Sequence, residues 1–276
     1  MTRHPRLMPE HPRMFSATVV RSVRLAPSFQ RVTVAGADLA DFEWRGFDHW
    51  FRLFLPPAPG APLVLPRVSG RSWWKPYLAI AEHERPHCSN YTVAALRRTA
   101  EGGAEMDIDV VLHHDSEGAI AGGVAIWAST ATAGSPLAML DQGPLFDPPA
   151  DTRAVHLVTD ESGLPAVRGI LRDLSADAAG TAIIEVPSPG DVEELTRPAD
   201  VDVTWIVRHD QTAVPGAAAL AAVQTSVAAV GRVDPLDYAF VVGESTLATE
   251  GRRAVHRAGL PKSRILFSGF WKHEGH

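Results

Sequence analysis

Between residues 14 and about 147 the apolar positions fall in short runs, FSATVVRSVRL, FQRVTVAG, HWFRLFLP, NYTVAALRR, MDIDVVLHH and PLAMLDQG. Alternation of apolar and polar positions, enrichment in Val, Phe and Thr, and breaks at Gly, Pro, Asp and Asn are marks of strands joined by turns. Six such strands predict a small antiparallel β-barrel closed in Greek-key order. Between residues 56 and 90 the rhythm lapses into PPAPGAPLVLP and SWWKPYLAIAEHERPHC, an excursion of the length that functional loops have. After DPPAD, residues 147–151, the pattern changes. AVHLVTD, AIIEVP, DVTWIVR, YAFVVGE and RILFSGF are nearly continuous apolar runs, and helical stretches near 164–174, 217–230 and 246–258 alternate with them. That pattern predicts an α/β domain whose parallel sheet is covered on both faces by right-handed crossovers. The expected domains are residues 13–147 and 152–272, with DPPAD as linker.

Composition narrows the function. The chain has 276 residues, 45% hydrophobic and 21% charged, which suits two folded domains. A formal net charge of −6 offers no general attraction to a phosphate backbone, so nucleic acid is not an expected partner. No apolar run is long enough to span a bilayer and the start, MTRHPRLMPEHPR, lacks a signal-peptide core, which predicts a cytoplasmic protein without stable membrane insertion. Cys88 is the single cysteine, so this chain forms no internal disulfide and holds no four-cysteine cluster by itself. Redox chemistry in such a chain comes from an organic cofactor.

A barrel followed by an open α/β domain is the layout of ferredoxin reductase-like flavoenzymes, and local segments sharpen the likeness. HWFRLFLP, the pair Trp73 and Trp74, ERP at 84–86, SNYTV at 89–93, GGVAIWAS after MDIDVVLHH, VTDESGLPAV, VVGEST and the ending SGFWKHEG occur in order along the chain. Together they resemble the siderophore-interacting protein family. The resemblance implies a ferric-siderophore reductase in which FAD passes electrons from NAD(P)H or ferredoxin to Fe(III)-siderophore and Fe(II) is released. Its partners would be a ferric siderophore and, where ferredoxin is the donor, ferredoxin.

In the family the motif Arg-x-Tyr-Thr lies against the flavin. Tyr91 and Thr92 match it, with Ser89 in the Arg position and Asn90 between. A serine hydroxyl cannot supply the bidentate, charge-assisted contact that an arginine gives a diphosphate. Gly122 and Gly123 open a helix whose Val124 and Ala125 amides would face the diphosphate, after a strand ending at His113. Trp271 ends the chain's last strand and in the family folds near the flavin. Asp160, Ser162, Gly243 and Glu244, at strand-to-helix junctions, are the expected nicotinamide-facing residues. Arg67, Arg71, Lys75 and Lys272 are candidates for meeting an anionic siderophore.

No G-x-G-x-x-G occurs, and no metal site is expected. His113 and His114 are adjacent on a strand and point apart, His83, His87 and Cys88 read as residues of an exposed loop, and His273 and His276 as terminus. No side chain is assigned a catalytic role, because electron transfer to iron calls for placement rather than for a nucleophile. Two other readings stay open: a non-catalytic siderophore- or ligand-binding protein that has lost or weakened flavin binding at Ser89, and a flavin reductase with a different acceptor.

Overall fold

The computed structural model describes residues 8–100, 102–115, 117–210 and 212–273 and divides into two compact units. His276 lies outside the described residues. The first unit is a closed barrel of β1 (Met14–Ala26), β2 (Phe29–Gly36), β3 (Trp50–Leu55), β4 (His87–Arg98), β5 (Ala104–Val111) and β8 (Pro136–Gly143). Neighbours run in the order β1, β2, β5, β4, β3, β8, and every pairing is antiparallel. Alternation builds it directly. On β5 the inward Met106, Ile108 and Val110 are fully buried in the core. The outward Asp107 and Asp109 meet Arg97 at 2.6 Å and Arg31 at 2.7 Å.

Three further elements decorate the barrel: α1 (Trp74–Leu78), the ribbon of β6 (His113–His114) with β7 (Ile120–Ala121), and α2 (Gly123–Thr130). The excursion packs back on the barrel. Trp73 meets Phe54 edge to face at 5.9 Å, and Leu63, Leu65, Val68 and Tyr77 gather on the same cluster. The two histidines after Leu112 do not extend β5. Asp115 accepts the amides of Glu117 and Ala119, an Asx-turn beside a separate ribbon in which His113 lies opposite Ala121 and His114 opposite Ile120.

The second unit is a five-stranded sheet of β9 (Ala154–Thr159), β10 (Ala179–Val186), β11 (Val201–Val207), β12 (Tyr238–Glu244) and β13 (Ile265–Trp271). Its order is β11, β10, β9, β12, β13, all parallel, so the switch point lies between β9 and β12. The connecting helices are α3 (Leu164–Asp173), α4 (Ala217–Val230) and α5 (Ser245–Arg257). Val158, Ile183, Val241 and Ile265 pack with Ala219 and Val223 of α4 and Leu247 and Val255 of α5. The alternate positions Leu157, Ile184 and Phe240 are fully buried too, which is why these strands read as unbroken apolar runs.

Gly180, the second residue of β10, has φ +154°, and a Cβ there would collide with the backbone carbonyl of Val155 on β9. Gly180→Ala is therefore expected to cost about 2–4 kcal/mol through strain and forced separation of β9 from β10. Urea unfolding followed by near-ultraviolet circular dichroism measures it; a loss under about 0.5 kcal/mol would contradict the close approach.

Candidate functional site

The register of β3 against β4 sorts the predicted flavin residues into two faces. Phe51 pairs with Tyr91, Leu53 with Ser89 and Leu55 with His87, so these six side chains share one side. Phe51, Leu53 and Leu55 are core residues, and Tyr91 is half-buried against that core. Burial pushes its phenol above the usual tyrosine range. Asn90 and Thr92 lie on the other face, opposite Arg52 and Trp50. There Arg52 donates to Asn90 Oδ1 at 3.0 Å, and its guanidinium sits 4.5 Å from the Trp73 ring centre.

The start of α2 meets the first of these faces. Helix α2 buries Val124 and Ala128 in the barrel core, with Ala125 buried as well, and the amides of its first turn have no intrahelical acceptor and no capping side chain. Gly122 precedes it at φ +88°, a conformation glycine adopts freely, and the space where its side chain would stand holds nothing within 4 Å. A Cβ on Gly123 would lie 3.8 Å from Nδ1 of His87, whose Nε2 is 2.9 Å from Ser89 Oγ. His87 thus joins Ser89 and Tyr91 of β4 to residues 122–125. Free amides at a helix start, open space beside a glycine and a first turn without acidic side chains fit a diphosphate. His113 is exposed in the hairpin that leads into Gly122.

In the α/β unit the predicted residues line the carboxyl ends of β9 and β12. Asp160, fully buried, accepts from Ser162 N at 2.8 Å, Ser162 Oγ at 2.5 Å and Glu244 N at 2.6 Å. Gly243 lies against it: a Cβ there would be 2.7 Å from the carboxyl. Burial, with the charge of Glu161 beside it, pushes the Asp160 pKa up to about 7. Burial pushes the Glu244 carboxyl up as well, but amide donors, Thr246 N at 2.5 Å and His273 N at 3.2 Å, hold it below its ordinary value. Trp271 pairs with Glu244 across a bulge, and its carbonyl accepts from Ser245 Oγ at 2.7 Å. Next to Asp160, Arg208 bridges Glu161 at 2.8 Å and Glu185 at 2.7 Å.

Comparison with known proteins agrees with both units. Residues 18–145 match the family model of the siderophore-interacting FAD-binding domain, and residues 152–274 that of the siderophore-interacting protein. The chain belongs to the siderophore-interacting protein family. It is 29% identical to the ferric vibriobactin reductase ViuB of Vibrio cholerae over 92% of this chain and 87% of that one. It is 28% identical to the NADPH-dependent ferric-chelate reductase of Escherichia coli over 98% and 97%. A siderophore utilization protein from T. fusca superposes with a TM-score of 0.75 at 27% identity, covering 98% and 96% of the two chains. This family member is an FAD-dependent oxidoreductase with a ferredoxin reductase-like fold. No helix among its described residues is long and apolar enough to cross a membrane.

Arg67, Arg71 and Lys75 are exposed on the excursion, and Lys272 is exposed after β13. Two residues at the barrel site escape a reading by motif. His87 sits on β4 rather than in a loop, and its signal is the two-residue spacing from Ser89. Arg52 is the polar position of the alternating run WFRLFL.

Gly122→Ala is expected to cost about 1–3 kcal/mol of backbone strain without any clash and to weaken FAD binding, whereas Gly123→Ala, in ordinary contact at 3.8 Å, leaves stability unchanged or slightly raised. Urea unfolding and quenching of flavin fluorescence check the pair, and equal effects would count against the cradle. Asp160 binds its proton more tightly folded, with a pKa of about 7, than unfolded, near 3.8. Its contribution to stability is therefore largest below 3.8 and falls as pH rises through 7, the reverse of an ion-paired carboxylate. The difference in unfolding free energy between pH 5 and pH 8 should shrink in Asp160→Asn, and an unchanged difference would remove Asp160 as its source.

Proposed function

We propose that this protein is a ferric-siderophore reductase, taking electrons from NAD(P)H or from ferredoxin and releasing Fe(II). The observation that carries the reading is the match of both units to siderophore-interacting domains, together with a barrel site shaped for a diphosphate. The names of the Vibrio cholerae and Escherichia coli relatives, reductases of ferric vibriobactin and of ferric chelates, support the substrate class.

FAD, when bound, accepts two electrons as hydride and gives them up singly, which is what links a nicotinamide donor to one-electron iron. The chain's own residues supply position. Tyr91 offers a half-buried aromatic face, the Val124 and Ala125 amides offer donors to the diphosphate, and Ser89 offers a hydroxyl beside them. Thr92, on the opposite side of β4, serves the cofactor through its backbone in this reading. Ser162, Gly243 and the carboxyl groups of Asp160 and Glu244 form the strand-end rim assigned to the nicotinamide.

For the iron complex we assign the excursion. Trp74 is 53% exposed and stacks on Tyr77 at 5.3 Å and 23°, with Arg67, Arg71 and Lys75 exposed on the same segment. An aromatic platform with cations suits a bulky anionic chelate. One NAD(P)H reduces two ferric ions, giving NAD(P)⁺, a proton and two Fe(II), and hard oxygen donors hold Fe(II) less tightly than Fe(III).

The test is anaerobic trapping of ferrous iron from a ferric siderophore by the FAD-loaded protein, with NADH, NADPH or reduced ferredoxin supplied separately. Turnover with at least one donor is the expected result. Binding of the ferric complex without reduction by any donor would make the protein a non-catalytic binder instead.

A further inference from the structure

We propose that His87 is a diphosphate-binding residue of the FAD site and supplies, as an imidazolium, the positive charge that Ser89 cannot. The argument begins with the strand. β4 starts at His87, and the period of two places His87 and Ser89 on one face, with Nε2 and Oγ 2.9 Å apart. The ring's other nitrogen makes no hydrogen bond among the described residues and lies 3.8 Å from where a Cβ on Gly123 would stand, at the open amino end of α2. A histidine whose free nitrogen borders uncapped amides faces the same space that those amides face.

The hairpin that leads into Gly122 carries titratable groups, His113, His114 and Asp115, so His87→Gln is the variant that separates the imidazole of β4 from them. Helix α2, GVAIWAST, carries no titratable side chain, Leu55 faces His87 across the β3–β4 pair, and Cys88 and Arg52 belong to the opposite side of that pair. The amides and the helix start contribute partial charge only, whereas a flavin adenine diphosphate brings two full negative charges. Partial desolvation by its neighbours lowers the imidazole pKa from its ordinary value. A bound diphosphate favours the charged ring, which then donates from Nδ1 to a phosphate oxygen while Nε2 donates to Ser89 Oγ. One proton is taken up from solvent, forming the second ring N–H, and no other covalent bond changes.

The sign of the pH dependence follows. The diphosphate diester keeps its charges throughout, so FAD affinity is highest below the pKa of the free imidazole. It falls as pH rises and levels off above the pKa of the complexed one. The inference rests on FAD binding and not on the iron reading, so the two can fail separately.

The test is a fluorescence titration of flavin-free wild type, His87→Gln and Ser89→Arg/His87→Gln with FAD and with riboflavin, which has the ring without the diphosphate, from pH 5.5 to 8.5. Expected are a wild-type FAD affinity that falls with pH, a loss of roughly tenfold at low pH in His87→Gln with the pH dependence flattened, and unchanged riboflavin affinity. The added arginine should restore FAD binding with no pH dependence. Wild-type FAD affinity that is flat with pH, wild-type affinity in His87→Gln at pH 5.5, or equal losses for FAD and riboflavin would each overturn the proposal, the last by making His87 a structural residue.

Discussion

His49 enters β3 with its ring fully buried and both nitrogens occupied, and the working face of the barrel depends on that anchorage. Nδ1 accepts the amide of Arg45 at 3.0 Å, which fixes the tautomer, so Nε2–H donates to Asp141 at 2.7 Å. Asp141 in turn accepts the amide of Gly143 at 2.9 Å, and the His49 carbonyl takes the amide of Val93 at 2.8 Å. One side chain thereby ties β3 to β8 and, through its backbone, to β4. The pairing of Phe51 with Tyr91 follows, and a slip of one residue would turn Ser89 and Tyr91 to the outer side and bring Asn90 and Thr92 in.

The α/β unit solves a different problem, that of holding charge inside a sheet end. Arg208, Glu161 and Glu185 are all buried, and taking three ions out of water is tolerable only when their hydrogen-bonding capacity is spent. Glu185 meets this condition twice over. It accepts the amides of Gly216 and Ala219 at 3.0 and 2.9 Å while it pairs with Arg208, so it also caps α4. Asp160 spans the switch point by taking donors from both sides, Ser162 after β9 and Glu244 of β12. These bonds cross-link the strand ends to one another.

How much of this the sequence discloses depends on whether a feature is periodic. The strands and helices come from burial alternating every second residue or every third and fourth, and helix α4 runs from Ala217 to Val230 as its Ala-rich stretch predicts. Registers and turns are not periodic in that way. LHH reads as the end of the strand segment MDIDVVLHH, yet Asp115 turns the chain after the histidines through side-chain hydrogen bonds. Pro86 reads as a breaker, yet it only precedes β4, so His87 and Cys88 look like loop residues when they are the first of the strand. Tyr91, Ser89 and the two glycines stand out by resemblance to a motif, whereas His87 joins them only through a pairing that no local pattern records.

The buried ionisable groups of the barrel bear on the chemistry. Asp107, Asp109 and Asp141 are buried carboxyl groups of its strands, and each is engaged: Asp141 with His49, Asp107 with Arg97, and Asp109 with Arg31. Groups committed in this way make poor general acids or bases, because moving a proton would break the pair that keeps them stable. Reduction of chelated iron asks for no proton at the metal, only for a donor held near it in an ordered site. A barrel that spends its buried charges on its own strands, and presents amides, a hydroxyl and aromatic faces at its surface, suits that demand better than it suits hydrolysis or acyl transfer.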